Sequence, residues 1–228
     1  FGPILYGAKK LGMHIHTRYE VSNNAGQDIC DIVNNEGFDF LLVGSGISMS
    51  DSPDDIAATR YRTSFYNRYF KRFKAPESWF YPGALLKDKT KMFIARSNCD
   101  VGVFINRNFV KATNTLVVIS SEEDLFLLDY TRTLLKATHG SVGIVAKMST
   151  TTPGHDQILK ELWDFVSSTP QTQLLPDKDL TPGLFNSYNF MLIGYNTWND
   201  VSEHRKEALQ KMPSTLILNK NKRSSSDN

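Results

Sequence analysis

With 228 residues, 40% of them hydrophobic and 22% charged, the chain is longer than one average domain and shorter than two, and its composition excludes a disordered or fibrous protein. Its longest apolar runs, such as residues 40–43 and 116–119, fall far short of the ~20 residues a membrane helix needs, so no part of the sequence is expected to cross a bilayer. Net charge is only +2, yet Arg60, Arg62, Arg68, Lys71, Arg72 and Lys74 place six positive charges and no negative one in a single stretch, leaving −4 for the remainder.

In chain order, residues 2–11 read as the end of a helix closed by Gly12. Residues 13–21 read as a strand on which His14 and His16 share one face. These histidines form either a pH-sensing pair or an ordinary surface pair. A helix over residues 25–36 turns Ile29, Ile32 and Val33 inward, and a strand over 38–44 follows, ending in glycine. Asp51-Ser-Pro-Asp-Asp55 starts the next helix, with Ser52 as cap, Pro53 at its first position, and Asp54 and Asp55 on the positive end of the dipole. The rival reading of these carboxylates as a divalent-metal site lacks a histidine or further carboxylate nearby. If residues 53–74 are helical, Ala57, Tyr61, Phe65, Tyr69 and Phe73 line one face, widened by Tyr66 and Phe70. Arg60, Asn67, Lys71 and Lys74 lie on the other. Trp79, Phe80 and Tyr81 form either an interface patch or a buried corner. A helical stretch over 83–96 leads to a strand over 101–105.

The second half begins with a strand at 115–119 and a helix at 122–139, capped by Ser121, carrying Glu122, Glu123 and Asp124 in its first turn and closed by Gly140. Residues 142–148 form a strand, and 156–167 a helix with Ile158, Leu159, Leu162, Trp163 and Val166 on its apolar face. Short strands at 173–175, 188–194 and 213–219 and a helix at 200–211 complete an alternating α/β unit.

The halves resemble each other. Phe38-Asp-Phe-Leu-Leu-Val-Gly44 aligns with Tyr188-Asn-Phe-Met-Leu-Ile-Gly194, and residues 101–105 fall over the run beginning at Thr215. From Gly44 to Cys99 is 55 residues and from Gly194 to Pro213 only 19, so the first copy holds an insertion of about 36 residues that contains the basic stretch. The first copy also lacks the opening strand, helix and strand of the second, and the sequence starts at Phe1 with no signal peptide, so the chain is expected to be a piece of a longer protein. The expected architecture is two pseudo-repeated Rossmann-like α/β domains with parallel sheets. Residues 1–110 form the first, incomplete at its amino end and with an insertion at about 46–81. Residues 111–220 form the second, and 221–228 a polar tail.

Val21-Ser-Asn-Asn-Ala-Gly-Gln-Asp-Ile-Cys-Asp-Ile-Val33, followed by residues 38–46, resembles universal-stress-protein-like domains. Asp28-Ile-Cys30 and Ser97-Asn-Cys99-Asp-Val-Gly102-Val-Phe-Ile-Asn-Arg107 resemble the cytosolic tail of plant and fungal cation/proton exchangers, which carry two such domains in tandem. The resemblance implies a regulatory region of a potassium/proton antiporter, partnered by the upstream membrane domain of the same polypeptide, homodimeric, and on the cytosolic face of an endomembrane such as the Golgi. A stand-alone nucleotide-binding stress-type protein is the alternative.

Candidate sites follow from chemistry. Gly44, Ser45 and Gly46 lie at the carboxyl end of a parallel strand, where backbone N–H groups can receive a phosphate, so an adenine nucleotide is the candidate ligand. Stress proteins that bind nucleotide continue Gly-x2-Gly-x9-Gly-Ser/Thr, whereas here the next glycine after Gly46 is Gly83 and none follows Gly194. The other reading is that the glycines serve only as a strand-ending turn. The stretch with Arg60, Tyr61, Phe65, Arg68, Tyr69, Lys71, Arg72, Phe73 and Lys74 would dock to an anionic membrane or to the transporter, or pack on its own domain. One basic helix is too little for a nucleic-acid surface. Cys30 and Cys99 lack zinc or disulfide spacing and read as core residues, and there is no Asn-x-Ser/Thr sequon, which fits a reducing compartment. No nucleophile elbow, phosphate loop or His-Glu-x2-His motif is present, so no enzyme is expected and no metal or certain cofactor.

Overall fold

A computed structural model describes residues 6, 8–10, 12–19, 21–44, 89–148, 153–175, 180–204 and 211–221. Its elements, in order, are α1 (Ala25–Glu36), β1 (Phe40–Gly44), α2 (Lys89–Arg96), β2 (Asp100–Ile105) and β3 (Asn114–Ile119), then a 3-10 turn at Glu122–Asp124. There follow α3 (Leu127–Thr138), β4 (Ser141–Ala146), α4 (His155–Ser168), β5 (Thr172–Leu175), the single-turn α5 (Pro182–Phe185), β6 (Phe190–Gly194), α6 (Tyr195–His204) and β7 (Ser214–Asn219).

The strands form one seven-stranded sheet in the order β1-β2-β7-β6-β3-β4-β5. Every pairing is parallel except β2 with β7, whose antiparallel register centres on Val103 opposite Ile217. The middle of the sheet is buried on both faces, which is why β3, β4 and β6 read as unbroken apolar runs. Leu116, Val118, Met191, Ile193 and Ile217 point to the face covered by Phe185, Trp198 and Val201, from α5 and α6. Val117, Ile119, Ile144 and Leu192 point to the opposite face, under Leu127 and Leu135 of α3 and Ile158 and Leu162 of α4. A smaller core under α1 and α2 joins Cys30, Val33 and Phe93 to Leu41, Cys99 and Val101. Both helices therefore share the sheet face used by α6, since Val101 and Val103 are two residues apart on one strand.

Several expected boundaries move, each for a local reason. The helix end before Gly12 is present: Gly12 takes φ +68°, and the Met13 N–H donates to the Ala8 carbonyl at 2.9 Å, closing the turn. No strand forms in described residues 13–19 and 21, where Tyr19 and Val21 are 80% and 87% exposed and no neighbouring strand takes the backbone groups. His14 and His16 accordingly sit on exposed irregular chain. The helix expected at 122–139 divides into the 3-10 turn and α3, and His139, at φ +52°, is the left-handed residue that ends it. Gly140 is needed for another reason: a Cβ there would strike the Thr113 backbone. In α4 the buried stripe is Ile158, Leu162 and Phe165, at spacings of four and three, while Trp163 stays 52% exposed. The helix expected at 200–211 starts at Tyr195, directly after β6, because Trp198 and Val201 bury themselves completely against the sheet. Residues 205–210 lie outside the described set, as do 83–88 of the helical stretch that ends in α2.

Candidate functional site

In an open α/β sheet ligands enter at the carboxyl edge where successive crossovers leave in opposite directions. Here that point lies between β3 and β6: the chain leaves β3 toward β4 on one side and β6 toward β7 on the other. The groups lining it come from the turn after β3 and the start of α6. They are Ser120, Ser121, Asp124, Gly194 and Thr197.

Asp124 fills the crevice. Only 2% exposed, its carboxylate oxygen Oδ2 accepts from the Ser120 N–H at 2.9 Å, the Ser121 N–H at 3.3 Å, the Ser120 hydroxyl at 3.2 Å and the Thr197 hydroxyl at 2.6 Å. The single proton of the Ser120 hydroxyl is shared between Oδ2 and the Thr197 hydroxyl oxygen beside it. Oδ1 lies against Gly194, where a Cβ would overlap it, so the last residue of β6 must be glycine for the carboxylate to fit. A buried carboxylate with this many donors is stable where an isolated one is not. The backbone N–H groups that would cradle a phosphate are thus already turned on the chain's own anion. Beside it the Asn196 amide donates to Glu123 at 2.8 Å, tying α6 to the 3-10 turn.

The outer wall of this region is acidic. A shallow surface cleft of about 610 Å³ beside the start of α3 carries five carboxylates, Glu122, Glu123, Asp129, Glu161 and Asp164, against two cations, Arg132 and Lys220. Arg132 is committed to Asp129 at 3.2 Å and stacks over the Phe165 ring at 4.8 Å. Polyphosphate approaching this edge meets like charge.

Of the residues singled out from sequence, Gly44 ends β1 at the carboxyl edge, exposed to solvent. Ser45 and Gly46 lie outside the described residues, as do Arg60, Tyr61, Phe65, Arg68, Tyr69, Lys71, Arg72, Phe73 and Lys74. Gly44 and the Asp124 cluster are not brought together, because β1 runs antiparallel to β3 and their carboxyl ends leave the sheet at opposite edges. Cys30 and Cys99 are buried, unoxidised core residues; the Ser97 hydroxyl approaches the Cys30 sulfur at 3.9 Å, and burial pushes both thiols above the ordinary range. Among the described residues no group of three or more His, Cys, Asp or Glu side chains is arranged to hold a metal ion, and no helix is long and apolar enough to cross a membrane.

Sequence reasoning assigned Asp124 to the helix dipole and missed its role as a filler of the crevice. The available signal was Ser121-Glu-Glu-Asp124, a serine with an acid three residues on, whose acid reaches back to the N–H before the turn.

No family model matches the chain, and no curated protein matches it in sequence. Solved structures do. A universal stress protein from Archaeoglobus fulgidus superposes over 97% of this chain and 75% of its own, at 9% identity and a TM-score of 0.53. A Pseudomonas aeruginosa protein assigned to the universal stress proteins covers 96% of this chain and 78% of its own, at 11% identity and a TM-score of 0.49. The seven-stranded, mostly parallel sheet with helices on both faces therefore has the Rossmann-like fold of the universal stress proteins.

Proposed function

We propose that the chain is a non-enzymatic regulatory region of a monovalent cation/proton antiporter, carrying no catalytic residue and modulating transport by a membrane domain of the same polypeptide. In this reading the cation is potassium, the region faces the cytosol from an endomembrane such as the Golgi, and it works as a homodimer. Its basic aromatic stretch, residues 60–74, contacts the transporter or an anionic membrane surface rather than nucleic acid. The observation that carries the regulatory reading is the filled crevice: Asp124 occupies the switch point with its own hydrogen bonds, and carboxylates line the approach. The antiporter context rests on the resemblance at residues 21–46 and 97–107.

Vesicles from cells making the full-length parent would be compared with vesicles making a version that ends before Phe1, by potassium-driven collapse of a preset pH gradient. Exchange is expected in both, with an altered rate or potassium dependence in the truncated form. Absence of potassium/proton exchange in both would sink the proposal.

The fold serves a stand-alone nucleotide-binding stress protein equally well. Calorimetric titration with ATP and AMP separates the two. The proposal expects no heat at millimolar nucleotide, whereas saturable binding would favour the rival, with Gly44 as its place on the sheet.

A further inference from the structure

The cleft beside the start of α3 is unbalanced in charge: five carboxylates against two cations leave it a net −3. Arg132 is held by Asp129, and Glu123 accepts from Asn196. The carboxylates of Glu122, Glu161 and Asp164 make no ion pair or side-chain hydrogen bond among the described residues. Leu125, Phe126 and Phe165 add apolar surface beside them. Such a wall suits a lysine or arginine, whose alkyl stem lies on apolar surface while its head group meets a carboxylate. Arg132 already shows the mode, with its guanidinium 4.8 Å from the centre of the Phe165 ring and 3.2 Å from Asp129.

The chain carries two more such side chains to the rim of the cleft. β7 ends at Asn219, and Lys220 lines the cleft. Asn221 is then pinned twice: its N–H donates to Asp100 at 2.8 Å and its side-chain amide to the Ser97 carbonyl at 3.0 Å. Lys222 and Arg223 follow at once and lie outside the described residues. With 3.8 Å between consecutive Cα atoms, the Lys222 Cα stands no more than about 8 Å from that of Lys220. The basic stretch at residues 60–74 is placed less well, since it starts 16 residues beyond Gly44, which lies at the opposite pole of the sheet. A tether this short gives the tail the higher effective concentration at the cleft.

We infer that the acidic cleft is the seat of the chain's own Lys222 and Arg223, whose stems lie on its apolar residues and whose charges meet Glu122, Glu161 and Asp164. The pinned Asn221 is the fixed end of the tether. The inference gives the cleft an occupant that the proposed function does not assign, and it needs no transport activity.

Zero-length cross-linking of the 228-residue chain tests it. A water-soluble carbodiimide joins an amine to a carboxylate only where the two touch, and peptide mass spectrometry reads the pair. At about 20 mM salt Lys222 is expected to link to Glu122, Glu161 or Asp164, with links from Lys220 showing that the reagent enters the cleft. At 1 M salt, where the screening length falls to about 3 Å, the Lys222 links should drop about fivefold or more. Trypsin supplies a second readout. At low salt the bond after Arg223 should be cut about fivefold more slowly in the folded chain than in a peptide of residues 216–228 in the same tube. That protection should vanish when Glu122→Gln, Glu161→Gln and Asp164→Asn are combined, with circular dichroism unchanged. The cross-links need no substitution and decide the matter if that variant fails to fold. Lys222 without a link to those three carboxylates at low salt would overturn the inference. So would links into the cleft from Lys71 or Lys74 in its place, links found only between copies in a mixture of labelled and unlabelled chain, or slow cleavage that survives the triple substitution. None of these outcomes bears on cation exchange, so the proposed function stands or falls separately.

Discussion

The side chain with the most at stake is Asp124, which takes four hydrogen bonds on one oxygen while 2% exposed. Replacing it with alanine leaves two backbone N–H groups and the Thr197 hydroxyl without their acceptor, so Asp124→Ala should cost about 2–4 kcal/mol in urea unfolding. Gly194→Ala should cost about 1–3 kcal/mol by pressing a methyl into the same carboxylate. Pairing the two should cost less than their sum, since the first removes what the second strikes. Buried thiols give a second residue-scale expectation. Burial holds Cys30 and Cys99 in the protonated, unreactive form, so an aromatic disulfide reagent at pH 8 should titrate both only about as fast as the chain opens, and at once in denaturant. At this scale the sequence was legible in part. Two cysteines without partner spacing pointed to a core role, and the structure buries both. Trp163 and Phe165 exchanged roles because both lie near the apolar stripe of α4, and only contact with the sheet selects Phe165.

Among elements, α3 is tied to β2 by a hydrogen bond. The Tyr130 hydroxyl donates to Asp100 at 2.9 Å, and the other oxygen of Asp100 accepts from the Asn221 N–H at 2.8 Å. Burial first, and the adjacent Asp100 second, hold the Tyr130 hydroxyl protonated well beyond the usual tyrosine range. Above about pH 10 the unfolded chain therefore gives up a proton that the folded chain retains. Stability from this group is full below that pH and drains away as pH rises through it. Tyr130→Phe should lower stability by about 1–2 kcal/mol at pH 7 and flatten the alkaline loss, as read from urea midpoints across pH 7 to 11. Gly102 belongs to the same join: a Cβ there would stand 2.6 Å from the Phe40 ring, so the ring can cross β2 toward Tyr130, 5.9 Å away, only over a bare backbone. Elements marked by their own chemistry were legible. The α1 helix lies between Asn24, whose side chain accepts from the Gln27 N–H, and Gly37 at φ +68°. The start of α6 was not, since Asn196, Thr197 and Asn199 read as loop and the burial of Trp198 overrides them.

For the whole molecule, unbroken apolar runs and intervening amphipathic stretches were enough to read an alternating α/β chain. Which strands become neighbours was not readable, because strand order depends on packing between segments more than 100 residues apart, as in the β2–β7 pair. The candidate crevice was illegible for the same reason. Its lining comes from two segments 70 and more residues apart in sequence, the turn from Ser120 to Asp124 and the junction of β6 with α6 from Gly194 to Thr197. The antiparallel seam also reverses the sheet's polarity halfway across. The five strands from β7 to β5 open their carboxyl ends at one pole and β1 and β2 at the other. A molecule bound near Gly44 and one bound near Ser120 would therefore face away from each other, on opposite ends of one continuous sheet.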